Sequence, residues 1–239
     1  MSGVAERPTR RPRTVPALVP ALTAALAGAL GCLLLAACGG GSASGNGVVS
    51  GLSAHDDDGM AGAVLTAPYQ WGEQRLTDSE GQPFDTRSSL KAPLTLVFFG
   101  YTKCPDICQA VMADITSAVS RLEPADADKV DVWFVTTDPA RDTPETLRTY
   151  LDRFSPSFEG VTGPLKDIVA LASPVHVPIE KGDKLPSGGY DVTHGTAVLG
   201  VLPDGSVPIL WTQGTAAAGI AQDIHTILTS GIPTEDHAS

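Results

Sequence analysis

The sequence predicts an α/β domain in which a parallel β-α-β unit is followed by an antiparallel hairpin and a final helix. Residues 94–99 form a continuous β-prone apolar run, which is typical of a strand buried on both faces. Residues 107–121 then place apolar side chains at spacings of three and four, as on one face of a helix. Residues 196–202 and 207–211 are short apolar runs separated by a Pro-Asp-Gly-Ser turn, which indicates a hairpin.

Two short strands are predicted ahead of this unit. Residues 69–76 and 83–87 contain β-prone side chains, and the segment 77–82 between them is a polar turn that includes Gly81. Ordered structure is therefore expected to begin near Tyr69, with an N-terminal β-hairpin.

The middle of the chain continues the alternation of strands and helices. A helix over 143–154 is predicted because Thr143 is a residue type that caps helices and Pro144 is well tolerated in the first turn. The whole order is that of an α/β domain with a thioredoxin-like fold and insertions. The other predicted elements are strands over 130–137, 158–163 and 174–179, helices over 165–171 and 215–229, and a polar loop over 182–190.

The first 37 residues have the composition of an export signal. A basic leader with four arginines precedes an apolar stretch over 15–37, and small residues lead to Cys38 and a run of glycines. The segment Leu-Ala-Ala-Cys resembles the lipobox of bacterial lipoproteins, which implies cleavage before Cys38 and lipidation of its thiol. An uncleaved transmembrane anchor is the alternative. Both interpretations put the domain on the extracytoplasmic face of the cell membrane, and the export route stays open.

The remaining chain is expected to contain one folded domain. Residues 38–67 are rich in small and polar side chains and predict a flexible linker, 68–232 the domain, and 233–239 a disordered tail. Residues 1–37 hold four of the 16 basic and one of the 27 acidic residues, so the remainder has a net charge of −14. This charge argues against nucleic acid as a partner and suits cations or a basic protein surface, although acidity also promotes solubility.

Cysteine usage leaves one close pair in the exported domain. Cys32 lies in the signal and Cys38 is expected to be lipidated, so Cys104 and Cys108 remain. A single pair is not the pattern of a disulfide-stapled scaffold. A structural disulfide that closes so few residues would also contribute little stability.

The Cys104/Cys108 pair follows the predicted central strand and opens the next helix. Ligand sites of α/β sheets lie at the carboxyl ends of strands, and a helix N-terminus is expected to lower the pKa of a thiol. Residues four apart on a helix lie on one face, so both sulfurs can reach the same space, and their spacing also permits a disulfide. A third candidate, His194, lies far downstream. Two thiols and one imidazole indicate either a copper site or a redox dithiol with a neighbouring base.

Three motifs, in this order, resemble those of the Sco/SenC family. They are Gly-Tyr-Thr-Lys-Cys-Pro-Asp-Ile-Cys at 100–108, Thr-Asp-Pro-Ala-Arg-Asp-Thr-Pro at 137–144 and Val-Thr-His-Gly at 192–195. The resemblance extends over about 69–230. It implies a membrane-anchored, thioredoxin-like copper-binding protein that helps to assemble the copper centre of cytochrome c oxidase. A copper donor protein and, transiently, the oxidase subunit are the partners that it implies.

The resemblance also implies the ligands: Cys104, Cys108 and His194 would bind Cu(I) or Cu(II). Lys103 stands where the family often has histidine, which is not a required ligand, and a lysine beside Cys104 is expected to favour the thiolate. Zinc accepts the same set of ligands, so the choice of copper rests on the resemblance. Asp138 and Arg141 in the second motif either orient the site or form a local ion pair.

A copper-binding assembly factor, not an enzyme, is the expected function. The alternative is a thiol–disulfide oxidoreductase that uses Cys104 and Cys108, although three residues separate them instead of the two of thioredoxins. The two roles can coexist, because the cysteines must be reduced to bind metal. A thiol peroxidase is the third possibility, in which the His194 motif has no evident role.

Overall fold

A computed structural model of the protein describes residues 59–105, 107–184 and 190–233, without the side chains of 180–184 and 190–194. The predicted signal, the lipidation site Cys38 and most of the predicted linker and tail lie outside these residues. Asp106, between the two cysteines of the first motif, also lies outside them.

Ten strands are described. In chain order they are β1 (Ala63–Gln70), β2 (Arg75–Asp78), β3 (Pro83–Asp85), β4 (Leu94–Gly100), β5 (Val130–Thr136), β6 (Glu159–Thr162), β7 (Ile179–Lys184), β8 (Tyr190–His194), β9 (Val198–Val201) and β10 (Ser206–Trp211). Eight of them form one mixed sheet, in the order β1-β10-β9-β4-β5-β6-β2-β3. The central pair, β4 and β5, is parallel, whereas β9 pairs antiparallel with β4 from the other side. The two remaining strands, β7 and β8, form a separate antiparallel pair.

Five α-helices connect or follow these strands: α1 (Ile107–Val119), α2 (Pro124–Ala127), α3 (Pro144–Leu151), α4 (Leu165–Ala172) and α5 (Ala217–Ser230). The apolar faces of α1, α3 and α5 pack on one side of the sheet, and α4 packs on the other. The sheet is thus covered on both faces, which explains why every residue of β4 is buried. The predicted cap of α3 is confirmed, since the Thr143 hydroxyl accepts the Thr146 N–H at 3.2 Å.

A buried carboxylate attaches the first strand to the rest of the domain. Asp223 on α5 is 1% exposed and accepts hydrogen bonds from the backbone N–H groups of Ala61 and Gly62 and from Trp211 Nε1. These donors come from the segment before β1 and from the end of β10, its partner in the sheet. Three donors compensate the burial of this carboxylate, so it fixes the position of β1.

The elements differ from the prediction in three places. The first strand begins at Ala63, before Tyr69, because it pairs with β10, a partner that is distant in sequence. The strand predicted over 174–179 is instead a short 3-10 turn that ends at His176 in the left-handed region, with φ 55°. Of the residues predicted as a polar loop over 182–190, 182–184 belong to β7 and Tyr190 to β8, which pair with each other, and 185–189 lie outside the described residues.

Candidate metal centre

The two cysteines lie at the junction of β4 and α1. Cys104 belongs to the turn after the strand, and its N–H donates to the carbonyl of Tyr101 at 3.2 Å. Cys108 is the second residue of α1, and its N–H donates to the Cys104 sulfur at 3.4 Å. The helix therefore uses one of its unpaired N–H groups to bind sulfur, as expected for a thiol placed at a helix N-terminus.

Both sulfurs are in the thiol state and are almost fully enclosed. Cys104 is 4% exposed and Cys108 is 0% exposed. The hydrogen bond between the two thiols raises the pKa of Cys108, and burial raises it further, whereas the Tyr101 N–H lowers it. The expectation that the helix N-terminus favours a thiolate is wrong for Cys108 in this state, because these two effects outweigh the helix. A cation that binds here has to displace a proton.

A buried carboxylate that the sequence did not single out holds the turn before Cys104. The Asp142 side chain accepts hydrogen bonds from the Thr102 N–H at 3.0 Å, the Thr102 hydroxyl at 2.6 Å and the Thr136 hydroxyl at 2.7 Å. Asp142 is 0% exposed, and this burial raises its pKa although the three donors oppose the shift. It thus connects the end of β5 to the cysteine turn.

The neighbouring residues of the second motif form a local ion pair. Asp138 is buried and binds the Arg141 guanidinium, whose carbon lies 5.8 Å from the centre of the Tyr101 ring. The Asp138 N–H donates to the Thr136 hydroxyl at 2.9 Å. The alternative of a local ion pair is confirmed, and a role of this pair in orienting the site stays a prediction.

The backbone that follows His194, the third candidate ligand, leads to the sheet edge next to the cysteine turn. His194 is the last residue of β8 and pairs with Ile179, and its side chain lies outside the described part of the protein. In the β9–β4 ladder Val198 faces Phe98, two residues before the end of β4. Because this ladder is antiparallel, the segment from His194 to Val198 reaches the same sheet edge at which the cysteine turn begins. The structure does not test the ligand role of His194, which stays a prediction.

A tyrosine hydroxyl lies buried within the same core cluster as the two cysteines. Tyr150 of α3 is 3% exposed, and its hydroxyl has no hydrogen-bond partner among the described residues. The ring packs on Phe134, with 5.3 Å between the ring centres. The sequence analysis assigned no role to Tyr150 or Asp142; the place of Asp142 within the second motif was the one available signal.

The fold and the dithiol define a class: thioredoxin-like α/β domains with a cysteine pair at a helix N-terminus. Within this class, the model of the SCO1/SenC family matches residues 66–229, and the chain belongs to this family. The predicted family and fold class are therefore confirmed.

Solved structures of the family resemble this fold along most of the described domain. The copper-bound ScoI of Bradyrhizobium japonicum is 32% identical with a TM-score of 0.59, and the match covers 65% of this chain and 98% of that one. Yeast Sco1 with copper bound is 25% identical with a TM-score of 0.63, covering 72% of this chain and 95% of that one. Copper in these two structures agrees with the metal that the resemblance implied.

A curated relative is Protein SCO2, mitochondrial, of Saccharomyces cerevisiae, which is 34% identical over 135 residues. The match covers 56% of this chain and 44% of that protein, so the chain spans about half the length of this relative. In the part of the chain that the structure describes, no helix is long and apolar enough to cross a membrane.

Proposed function

We propose that this protein is a membrane-anchored, extracytoplasmic copper chaperone that assists the assembly of the copper centre of cytochrome c oxidase. The observation that supports it most directly is the pair of adjacent thiols, Cys104 and Cys108, at the carboxyl end of the central strand. Membership of the SCO1/SenC family and the copper bound in its relatives supply the metal and the process.

The donor set fits copper. Thiolate sulfur is a soft ligand that selects Cu(I), and an imidazole accommodates Cu(II) as well. Cys104 and Cys108 would supply the two sulfurs and His194 the imidazole. The backbone N–H groups of Tyr101 and Cys108 already donate to these sulfurs, so negative charge on them is partly compensated.

Three ligands suit a protein that passes its metal on. A recipient ligand can enter the open coordination position before Cys104, Cys108 or His194 leaves, so copper is never released to solvent. Cys104 is the more exposed sulfur of the two, which makes it the side from which a recipient would approach. The net charge of −14 without the first 37 residues suits transient docking on a basic surface of the oxidase subunit or of a copper donor.

The anchor rests on the sequence. Lipidation at Cys38, followed by a linker rich in glycine and serine, would hold the domain at the extracytoplasmic face of the cell membrane. Mass spectrometry of the membrane-extracted protein tests this arrangement: a diacylglyceryl mass on an N-terminal Cys38 is expected. An unmodified chain that retains residues 1–37 would contradict it.

Copper loading tests the proposed site. The full-length protein, purified in detergent, is reduced, loaded anaerobically with Cu(I) or Cu(II), and compared with His194→Ala. We expect one copper per chain in the wild type, a thiolate–Cu(II) absorption band, and loss of that band in His194→Ala. His225→Ala is the matched control, because that histidine lies on α5 in an ion pair with Asp126. Failure of the reduced wild type to retain copper would refute the chaperone proposal.

A thiol–disulfide reductase is the second candidate, and the hydrogen bond between the Cys104 and Cys108 thiols favours it. In that reaction Cys104 would attack a disulfide of the target, and Cys108 would displace the target thiol to leave an internal disulfide. The target gains two electrons and two protons, which the dithiol loses. Stoichiometric reduction of an oxidised target peptide by the copper-free protein is the expected result for this role. Unchanged target would exclude it.

A further inference from the structure

The Tyr150 hydroxyl is a buried polar group without a hydrogen-bond partner among the described residues. A hydroxyl buried in this way costs free energy, and each such group in a native protein calls for an explanation, such as a functional role or a bound water or ion. Only three side-chain atoms in the described part of the protein share this condition, and they belong to Arg87, Thr95 and Tyr150. Tyr150 belongs to the core cluster that contains Cys104 and Cys108, whereas Thr95 lies at the start of β4, the end away from the cysteine turn.

The packing places Tyr150 in the surroundings of the Cys108 sulfur. A Cβ at Gly100 would lie 2.9 Å from Phe134 Cε2, 3.0 Å from Phe98 Cε1 and 3.1 Å from the Cys108 sulfur, so the Phe134 ring and this sulfur border the same small space. Tyr150 packs on the same Phe134 ring, tilted by 45°. The hydroxyl is also electrostatically sensitive to the sulfurs: burial raises the pKa of Tyr150 most, and Cys108 raises it further.

Neighbouring donors are already committed. Arg153 lies over the Tyr150 ring at 4.6 Å and donates through Nε to the Tyr150 backbone carbonyl at 3.2 Å, so these contacts are with Tyr150 itself and not with its hydroxyl. Donors to the sulfurs include the backbone N–H groups of Tyr101 and Cys108, and in the dithiol state the S–H of one cysteine bonds to the other sulfur.

We propose that the Tyr150 hydroxyl is a positioning group for the metal. Once copper has replaced the thiol protons, this hydroxyl donates a hydrogen bond to a ligand sulfur. This inference rests on the copper site proposed above. The thiol protons leave to solvent, the hydroxyl keeps its own proton, and the sulfur gains negative charge that attracts the donor. Such donors around a copper-bound sulfur fix its geometry and reduce its electron donation to the metal.

Tyr150→Phe tests the inference, because it removes the hydroxyl and keeps the ring. In the copper-free protein we expect unchanged or slightly higher stability, since an unpartnered hydroxyl contributes nothing to the fold. In the loaded protein we expect about tenfold weaker Cu(I) binding in chelator competition and a shift of the thiolate–Cu(II) band to longer wavelength. Thr95→Val is the matched control: its hydroxyl is equally buried and unpartnered but lies at the opposite end of β4.

The outcomes separate this inference from the proposed function. A wild-type protein that binds no copper overturns both. Equal affinity and an identical band in wild type and Tyr150→Phe overturn the role of the hydroxyl alone. A band shift of the same size in Thr95→Val, or a loss of apo stability in Tyr150→Phe, would show a general packing effect and also overturn it.

Discussion

Asp142 accepts a hydrogen bond from the Thr102 hydroxyl at 2.6 Å and thereby joins the segment after β5 to the turn that contains Cys104. The same carboxylate accepts the Thr102 N–H and the Thr136 hydroxyl. One buried group thus fixes the backbone two residues before a proposed metal ligand, in a position that no covalent link determines.

Replacing this carboxylate should loosen the cysteine turn. Asp142→Asn replaces one carboxylate oxygen by an NH2 group, which cannot accept a hydrogen bond from Thr102 or Thr136. At least one buried hydrogen bond is therefore lost, and we expect the free energy of unfolding to fall by about 3 kcal/mol. Copper affinity should fall with it, because Cys104 is no longer held in place. Urea unfolding and chelator competition measure the two effects, with the exposed Asp152→Asn as the control. Wild-type copper affinity in Asp142→Asn would show that the cysteine turn keeps its position without the Asp142 carboxylate.

The absence of a side chain at Gly100 allows close packing beneath the cysteines. Gly100→Ala would introduce a Cβ 2.9 Å from Phe134 and 3.1 Å from the Cys108 sulfur, so one of them must move. We expect overpacking to cost about 1–3 kcal/mol and to weaken copper binding. Gly72→Ala is the matched control, since the nearest atom there is 3.4 Å away, on Leu171. The idea fails if the two variants retain equal copper affinity.

The attachment of β1 can be weakened without touching the metal site. Asp223→Ala leaves the N–H groups of Ala61 and Gly62 and the indole of Trp211 without their acceptor, so we expect a loss of about 3 kcal/mol in unfolding free energy. Copper affinity should stay at the wild-type value, because these contacts lie on α5 and β10 and not in the cysteine turn. Denaturant unfolding followed by tryptophan fluorescence measures the loss. A parallel loss of copper binding would contradict this separation.

Acidification should weaken the contact between α2 and α5. The His225 ring, with Nδ1 as donor, lies 2.7 Å from Asp126 and lowers the pKa of that carboxyl below its ordinary value of 3.8. On acidification the Asp126 carboxyl is therefore protonated at a higher pH in the unfolded chain than in the folded protein. The stability that the contact with His225 contributes is fully present above the ordinary pKa of the carboxyl and is lost as the pH falls through its pKa in the folded protein. The stability difference between wild type and Asp126→Asn should shrink below about pH 4. A difference that stays constant from pH 6 to pH 3 would contradict the assignment.

Local sequence patterns predicted the elements that carry a strong signal of their own. The run over 94–99, the periodicity after Ile107 and the cap at Thr143 each correspond to an observed element. Residues 182–184 and Tyr190, predicted as part of a polar loop, belong instead to β7 and β8, which are defined by their mutual pairing. The start of β1 at Ala63 was missed because it depends on pairing with β10, which lies far along the chain.

The sequence by itself determined the family, the central strand with the helix after it, and the position of Cys104 and Cys108 at the start of that helix, because these follow from short-range spacing and motif order. Only the tertiary structure decided that Cys108 is fully buried with a raised pKa, that Asp142 holds the turn, and that the Tyr150 hydroxyl lies in the same cluster without a partner among the described residues. Burial and hydrogen-bond partners depend on residues that packing brings together from distant segments. The sequence alone therefore does not show whether a charged group or a hydroxyl is buried or hydrogen-bonded in the folded protein.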